Sequence, residues 1–129
     1  MAAPEKAPDN VAAWFEIPAS DFARAVGFYE KVFETRLITE NMGGAQLAVF
    51  PYERPGMSGC VIQGEGYKPG RDGCVIYLET KGALDGPLAR AVAHGGKVAL
   101  AKTALPEGMG FYAHFVDSEG NRVGLHSMR

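Results

Sequence analysis

Four side chains in this sequence are of types that bind or transform small molecules. Trp14 and Glu16 lie two residues apart near the start of the chain, Cys74 lies in the middle, and His126 lies near the end. An indole stacks on apolar ligands, a carboxylate among apolar neighbours favours proton transfer near neutral pH, and an imidazole shuttles protons. Glu16 and His126 are therefore the candidate catalytic residues, and Trp14 is the candidate stacking residue.

Each of these residues also has a plainer interpretation. Trp14 can simply pack in a core, and Glu16 can pair with Arg122 or reach solvent at the rim of a site. His126, three residues from the end, can belong to a frayed terminus. Cys74 would be a nucleophile only beside an activating cation, and none is adjacent to it in the sequence. Which interpretation holds depends on the elements that position these residues.

The segment around Trp14 and Glu16 predicts a strand followed by a helix. Alternation places four apolar residues on one face of the strand: Val11, Ala13, Phe15 and Ile17. Trp14 and Glu16 then lie on the other face. From Phe22 the apolar spacing changes to three and four residues, which predicts an amphipathic helix over 22–33 capped by Ser20 or Asp21.

The rest of the chain repeats this order of elements. Alternation and turn residues predict strands over 36–40, 46–50 and 59–63, and the Gly-rich stretch 64–73 predicts a connection. The second half then predicts a strand over 74–79, a helix over 84–94 that ends at Gly95 and Gly96, and strands over 97–101, 110–116 and 122–126.

We therefore predict an α+β fold made of two βαβββ modules. A flexible tail covers 1–10, and one domain covers 11–129, with module one over 11–63, a linker over 64–73 and module two over 74–127. Each helix can cover only one face of its curved mixed sheet, so the uncovered faces are expected to form a central trough.

Period-two alternation predicts which residues line this trough. In the last strand we expect Val123 and Leu125 on the helix side, and on the trough side Arg122, Gly124 and His126. In the fifth strand we expect Val75 and Tyr77 on the helix side, and the trough side takes Cys74, Ile76 and Leu78. In the fourth strand the trough side takes Cys60 and Ile62. Further wall candidates are Tyr67, Phe111 and Tyr112.

Two stretches resemble one known family. The run from Ile17 to Phe33, with its Pro-Ala-Ser-Asp opening, resembles the start of a vicinal oxygen chelate domain, and 115–126 resembles the closing hairpin. This superfamily contains glyoxalase I, bleomycin-resistance proteins and extradiol dioxygenases. The two stretches lie in the right order and frame nearly the whole chain, so the resemblance implies the same trough and, for small members, a homodimer.

The resemblance also implies where a divalent metal would be held, on His, Gln or Glu ligands. The ligand positions of the family fall on Trp14, Cys74 and Gly124, and neither an indole nor a glycine supplies a ligand. We therefore expect no cofactor, with a displaced divalent metal on Glu16 and His126 as the alternative. The superfamily's metal-dependent chemistry would need that displaced site, because the ion polarises a substrate oxygen.

Composition narrows the classes of partner. The formal net charge of −2 provides no broad basic surface, so neither nucleic acid nor an anionic membrane is expected as a partner. No apolar run approaches the ~20 residues of a membrane span, and the first ten residues lack a signal-peptide core, so we expect a cytoplasmic protein. The charged residues Lys68, Arg71 and Lys102 could recognise an anionic group, or could be ordinary solvated charges.

These observations predict a small-molecule-binding protein that works without a metal ion. The ligand-binding residues would be Trp14, Glu16, Cys74, Ile76, Phe111, Gly124 and His126. The alternative is a glyoxalase-like lyase or isomerase, which would use a displaced metal or Glu16 and His126 as acid and base. A third possibility is a domain whose trough serves only as a dimer interface.

Overall fold

A computed structural model describes residues 6–129 of the protein. The first half contains β1 (Trp14–Pro18), α1 (Phe22–Phe33), β2 (Ile38–Met42), β3 (Ala45–Val49) and β4 (Ser58–Gln63). The second half contains β5 (Tyr77–Glu79), α2 (Asp85–Ala93), β6 (Lys97–Ala104), β7 (Phe111–Val116) and β8 (Arg122–Ser127). The predicted α+β class and the repeated βαβββ order are confirmed.

The two halves form two separate sheets with the same topology. The N-terminal sheet has the order β1-β4-β3-β2 and the C-terminal sheet the order β5-β8-β7-β6. In each sheet the first strand runs parallel to the fourth, and the remaining neighbours are antiparallel. Each sheet is therefore mixed, and the helix between its first two strands makes the crossover.

The start and end of α1 follow from local chemistry. The Asp21 carboxylate accepts a hydrogen bond of 3.1 Å from the Arg24 amide, so of the two predicted capping residues Asp21 is the one used. At the other end Glu34 has a left-handed backbone, with φ of 51°, and its amide bonds back to Glu30. The helix thus spans the predicted range.

One hydrophobic core serves both sheets. Tyr29 and Phe28 of α1 contact Phe115 of the C-terminal sheet, with ring centroids 6.4 and 5.9 Å apart, and Tyr29 also contacts Phe50 at 5.6 Å. The core also contains Ile17 and the residues Val32, Ala48, Val61, Leu78, Leu84, Ala91, Val123 and Leu125. The two halves are consequently joined through their helix-covered faces.

The turn between β7 and β8 joins the two halves a second time. The buried Tyr29 hydroxyl donates to Asp117 Oδ2 at 2.6 Å, and the Asn121 side chain donates to the Pro18 carbonyl at 2.7 Å. Burial, followed by the negative charge of Asp117, raises the pKa of Tyr29 well above its usual value. The tyrosine is therefore a neutral donor that links α1 to the other half of the chain.

Glu119, in the same turn, accepts hydrogen bonds from the two residues before α1 and from Arg24 in its first turn. Its Oε1 accepts from the Ser20 and Asp21 amides at 3.0 and 2.8 Å, and its Oε2 accepts from Arg24 Nε at 2.7 Å. Burial alone would raise the pKa of Glu119, but these hydrogen bonds outweigh it and hold the pKa at about 2. The carboxylate stays charged and anchors the helix.

Strands β1 and β5 begin three residues later than the alternation predicted. Strand β1 starts at Trp14 because its partner strand starts at Ser58, directly opposite, so the residues before Trp14 have no strand to pair with. Val11 is accordingly 96% exposed. Strand β5 starts at Tyr77, opposite Gly124 of β8. Of the predicted tail, residues 1–5 lie outside the described residues, and 6–10 are exposed and lack helix or strand.

The two helices are short. With 12 and 9 residues, α1 and α2 fall below the length that a membrane span needs, and no helix within residues 6–129 is long and apolar enough to cross a membrane.

Candidate functional site

Each sheet has a second face that is turned away from the helices, which we call its open face. On the N-terminal sheet the open face carries Trp14 and Glu16, both exposed, on β1. A small buried cluster of Leu47, Cys60 and Ile62 lies on the same face, separate from the main core. The predicted orientations of Trp14, Glu16, Cys60 and Ile62 are therefore confirmed.

The buried thiol on this face is unreactive. Burial, and then the negative charge of Glu16, raise the pKa of Cys60 to about 11. A thiol with such a pKa remains protonated near neutral pH and is a poor nucleophile. Cys60 is best understood as part of the apolar floor beneath Glu16.

On the C-terminal sheet the two faces of β5 are the reverse of the prediction, because the assumed alternation was shifted by one residue. Leu78 is buried and Ile76 packs against the main core, so these two residues face the helices. Tyr77 and Glu79 therefore lie on the open face, where Tyr77 is 46% exposed. Cys74 precedes the strand and is exposed. The predicted wall of Cys74, Ile76 and Leu78 is replaced by a tyrosine and a carboxylate.

Gly124 explains how Tyr77 fits on this face. The two residues are direct partners in the parallel pairing of β5 and β8. A Cβ atom built on Gly124 would overlap the Tyr77 ring, so the missing side chain makes room for that ring. Gly124 lies on the predicted side of β8, with Arg122 and His126, but the space that it leaves is filled by the protein itself.

Tyr77 belongs to an aromatic group that we call the Tyr77 cluster, formed by Tyr77, Tyr112, His114 and Arg122. The Tyr77 and His114 rings are 5.3 Å apart, and Tyr112 lies 6.3 Å from Tyr77 and 5.9 Å from His114. The Tyr77 hydroxyl is 2.6 Å from His114 Nε2, and Arg122 Nε donates to His114 Nδ1 at 3.1 Å. These contacts fix both rings at the surface of the sheet.

The contact with Arg122 determines the protonation of His114. A guanidinium nitrogen can only donate, so His114 Nδ1 must be the acceptor and carries no proton. Burial, and then the positive charge of Arg122, lower the pKa of His114, so the ring is neutral. A neutral imidazole has its single proton on the other nitrogen, and His114 Nε2 therefore donates to the Tyr77 oxygen.

His126 lies on the same sheet, and the pKa of its ring is shifted in the opposite direction. Its Nδ1 is 2.8 Å from Glu79 Oε1, and its Nε2 is 2.8 Å from the Met109 carbonyl. Both neighbours are acceptors, and the Met109 carbonyl, followed by Glu79, raises the pKa of His126. Both nitrogens of His126 are thus engaged, and protonation, which lets each nitrogen donate, strengthens this link between β5 and the turn before β7.

A cleft of about 180 Å³ lies where β1, the linker and β8 meet. Glu16 lines it from β1, Lys68 and Cys74 line it from the segment before β5, and Arg122 lines it from β8. Glu16 and Arg122 therefore share a cleft, although no ion pair joins them among residues 6–129. Trp14 and His126 are not among the residues lining this cleft, so the structure does not unite Glu16 with His126.

Phe111 lies on the helix-covered side of its strand. It packs against the main core, and Lys102 Nζ lies 4.6 Å from its ring centroid while bonding to Asp85 at 2.7 Å. The prediction that Phe111 lines the wall of the trough is therefore wrong. The sequence does contain the signal that assigns the faces of β7, because the apolar residues Ala113 and Phe115 alternate with Tyr112 and His114, which lie together on the other side of the strand.

The donor groups of this structure do not fit the metal site that the resemblance implies. Within residues 6–129, no group of three or more His, Cys, Asp or Glu side chains is placed to hold a metal ion. The displaced site on Glu16 and His126 lacks support, because both His126 nitrogens are engaged by other acceptors. The arrangement can instead offer aromatic surfaces, one hydroxyl and several charges to a ligand.

Comparison with solved structures identifies the fold. An antibiotic binding protein, TnmS3, from a Streptomyces species has a TM-score of 0.67 at 23% identity, covering 95% of this chain and 98% of that one. A glyoxylase/bleomycin resistance protein/dioxygenase domain from a Frankia species has a TM-score of 0.68 at 14% identity, covering 95% and 100%. No protein-family model and no curated protein sequence matches the chain.

Glyoxalase I from Zea mays shares the fold over part of its length. It has a TM-score of 0.62 at 18% identity, covering 90% of this chain, which spans 45% of the length of the maize protein. These structures define the class: two βαβββ units of the glyoxalase/bleomycin-resistance type. The chain therefore has the fold of the vicinal oxygen chelate superfamily, as the two sequence stretches implied.

Proposed function

We propose that this protein binds a small, partly apolar molecule without the help of a metal ion. The observation that carries the proposal is the Tyr77 cluster, in which the exposed Tyr77 ring and the half-buried His114 ring are fixed by hydrogen bonds on the open face of a sheet. Rigid aromatic side chains contribute large contact areas at a low cost in conformational entropy, which is typical of ligand sites.

The surroundings of the cluster support a binder. Arg122 belongs both to the cluster and to the cleft beside Glu16, so a ligand stacked on Tyr77 can reach charged groups. TnmS3, which has the same fold, is an antibiotic binding protein, and sequestration of a ligand needs only such a surface. Acid–base catalysis by Glu16 and His126 receives less support, because both His126 nitrogens are engaged by Glu79 and the Met109 carbonyl.

The test combines metal analysis with ligand binding. Purified protein should contain no stoichiometric divalent metal, and the midpoint of thermal unfolding should rise with one or more members of a panel of polycyclic aromatic compounds and antibiotics. Treatment with a chelator should leave that rise unchanged. A rise that chelation abolishes and added metal restores would refute metal-independent binding.

A pair of matched variants locates the site. Tyr77→Ala should weaken binding of the responding compound at least tenfold, because the ring makes most of the contact. Tyr52 is equally exposed, at 44% against 46%, but lies outside the cluster, so Tyr52→Ala is the control and should bind as wild type does. Equal affinities for the two variants would show that the ligand binds elsewhere.

A further inference from the structure

We infer that the Tyr77 hydroxyl is the hydrogen-bond donor of the site, and that it selects aromatic or conjugated molecules carrying a carbonyl or another acceptor oxygen. This inference rests on the proposed function only in that the ligand must lie against the Tyr77 cluster. It adds the chemical class of the ligand, and it names Arg122 as the residue that positions the donor.

The argument starts from the direction of the two hydrogen bonds. Arg122 Nε donates to His114 Nδ1, so His114 Nε2 carries the ring proton and donates it to the Tyr77 oxygen. The tyrosine is then an acceptor in this contact, and its own proton is not used there. Within residues 6–129, the Tyr77 hydroxyl makes no other hydrogen bond. That proton is free for an acceptor on the open side of the sheet.

The ring positions determine what kind of molecule can bring this acceptor. Tyr112 and His114 flank Tyr77 at centroid distances of 6.3 and 5.3 Å, with interplanar angles of 59° for both pairs. A flat ligand ring resting on these edges and faces places a substituent oxygen close to the hydroxyl. An apolar ring without such an oxygen leaves the hydroxyl to water, and it should bind more weakly.

Without Arg122 the direction of the contact is no longer fixed. His114 could then carry its proton on Nδ1 and accept the Tyr77 proton on Nε2, at the same 2.6 Å separation. The hydroxyl proton would be consumed inside the protein, and the site would lose its donor while keeping its aromatic surface. Arg122 is accordingly a positioning residue that acts through His114.

The direct test compares two probes of nearly the same shape, 2-acetylnaphthalene and 2-ethylnaphthalene, by titration with nuclear magnetic resonance detection. Wild-type protein should bind the ketone about threefold to tenfold more tightly, which is the range expected from one added hydrogen bond. Tyr77→Phe keeps the ring and removes the hydroxyl, so it should bind both probes equally. Tyr52→Phe should retain the wild-type preference.

A second measurement addresses the proton directly. In wild-type protein at about pH 7.5, above the usual histidine pKa, nitrogen-15 chemical shifts should show His114 as the neutral Nε2–H tautomer. The His114 resonances are assigned as those that disappear in His114→Gln. In Arg122→Met the preference for the ketone should fall toward one, and the Nδ1–H tautomer should become populated. A histidine that is already Nδ1–H in wild-type protein refutes the inference without any ligand.

The possible outcomes separate this inference from the proposed function. If wild-type protein binds the two probes with equal affinity and Tyr77→Ala binds neither, the location of the binding site is supported and the role of the Tyr77 hydroxyl as donor is refuted. Failure of both probes to shift resonances of the Tyr77 cluster refutes the inference and weakens the proposed function with it. A ketone preference that survives Tyr77→Phe assigns the donor to another group and also refutes the inference.

Discussion

The anchoring of α1 by Glu119 leads to a prediction whose magnitude follows from the structure. Its carboxylate is held at a pKa of about 2, against an ordinary value of 4.5, which corresponds to about 3 kcal/mol in favour of the charged form. Arg24 is half-exposed, so water screens part of this interaction, and about 2 kcal/mol is a better estimate for the folded protein. Glu119→Gln should lower the free energy of unfolding by that amount.

The assay is denaturant unfolding near pH 7, with thermal unfolding as a second measurement. For a domain of this length, a loss of about 2 kcal/mol should lower the unfolding midpoint by roughly 8 °C. Glu107→Gln is the matched control, because Glu107 is exposed and has no ion pair among the described residues. Its midpoint should equal that of wild type.

The pH dependence provides a stricter test of the same prediction. A carboxylate whose folded-state pKa is depressed stabilises the fold fully above its unfolded pKa, near 4.5, and the contribution is lost as the pH falls toward about 2. The difference between wild type and Glu119→Gln should therefore narrow steadily below about pH 5. The reasoning fails if Glu119→Gln is no less stable than Glu107→Gln, or if the difference does not change with pH.

Three further changes have expected outcomes. Gly124→Ala should lower the free energy of unfolding by about 1–3 kcal/mol and weaken ligand binding, because the added Cβ displaces the Tyr77 ring. Denaturant unfolding measures the first effect and ligand titration the second. Tyr29→Phe should cost about 2 kcal/mol in denaturant unfolding, because buried Asp117 loses a donor. The pKa of His126 is raised, so its contribution to the free energy of unfolding is complete below about pH 6.5 and is lost as the pH rises through the folded-state pKa. The thermal unfolding midpoint should therefore fall less at alkaline pH in His126→Gln than in wild type.

The extent to which sequence predicts this fold depends on how distinct the two faces of each strand are. In β8 one face is Val123 and Leu125 and the other is polar or bare, so alternation assigns both faces correctly. In the fifth strand both registers are apolar, because Ile76 and Leu78 alternate with Val75 and Tyr77. A period of two cannot choose between them, and the prediction took the wrong one.

What decides the register of β5 is a contact across the sheet. Tyr77 needs an opposite residue without a side chain, and Gly124 provides that position. The state of His126 is hidden from sequence reasoning for a similar reason, since one of its partners is the main-chain carbonyl of Met109, which has no residue signature. Pairwise contacts of this kind are properties of the folded chain, and the candidate site consists largely of them.

The turn carrying Asp117 and Glu119 makes the folding of the first half depend on the second half. It supplies acceptors to the Tyr29 hydroxyl and to the Ser20 and Asp21 amides, so residues 11–63 expressed alone would leave these donors without their partners. Such a half-length polypeptide would have to obtain this turn from a second molecule, and its folding would then depend on concentration. With both halves in one chain these contacts are intramolecular, so they form at any dilution.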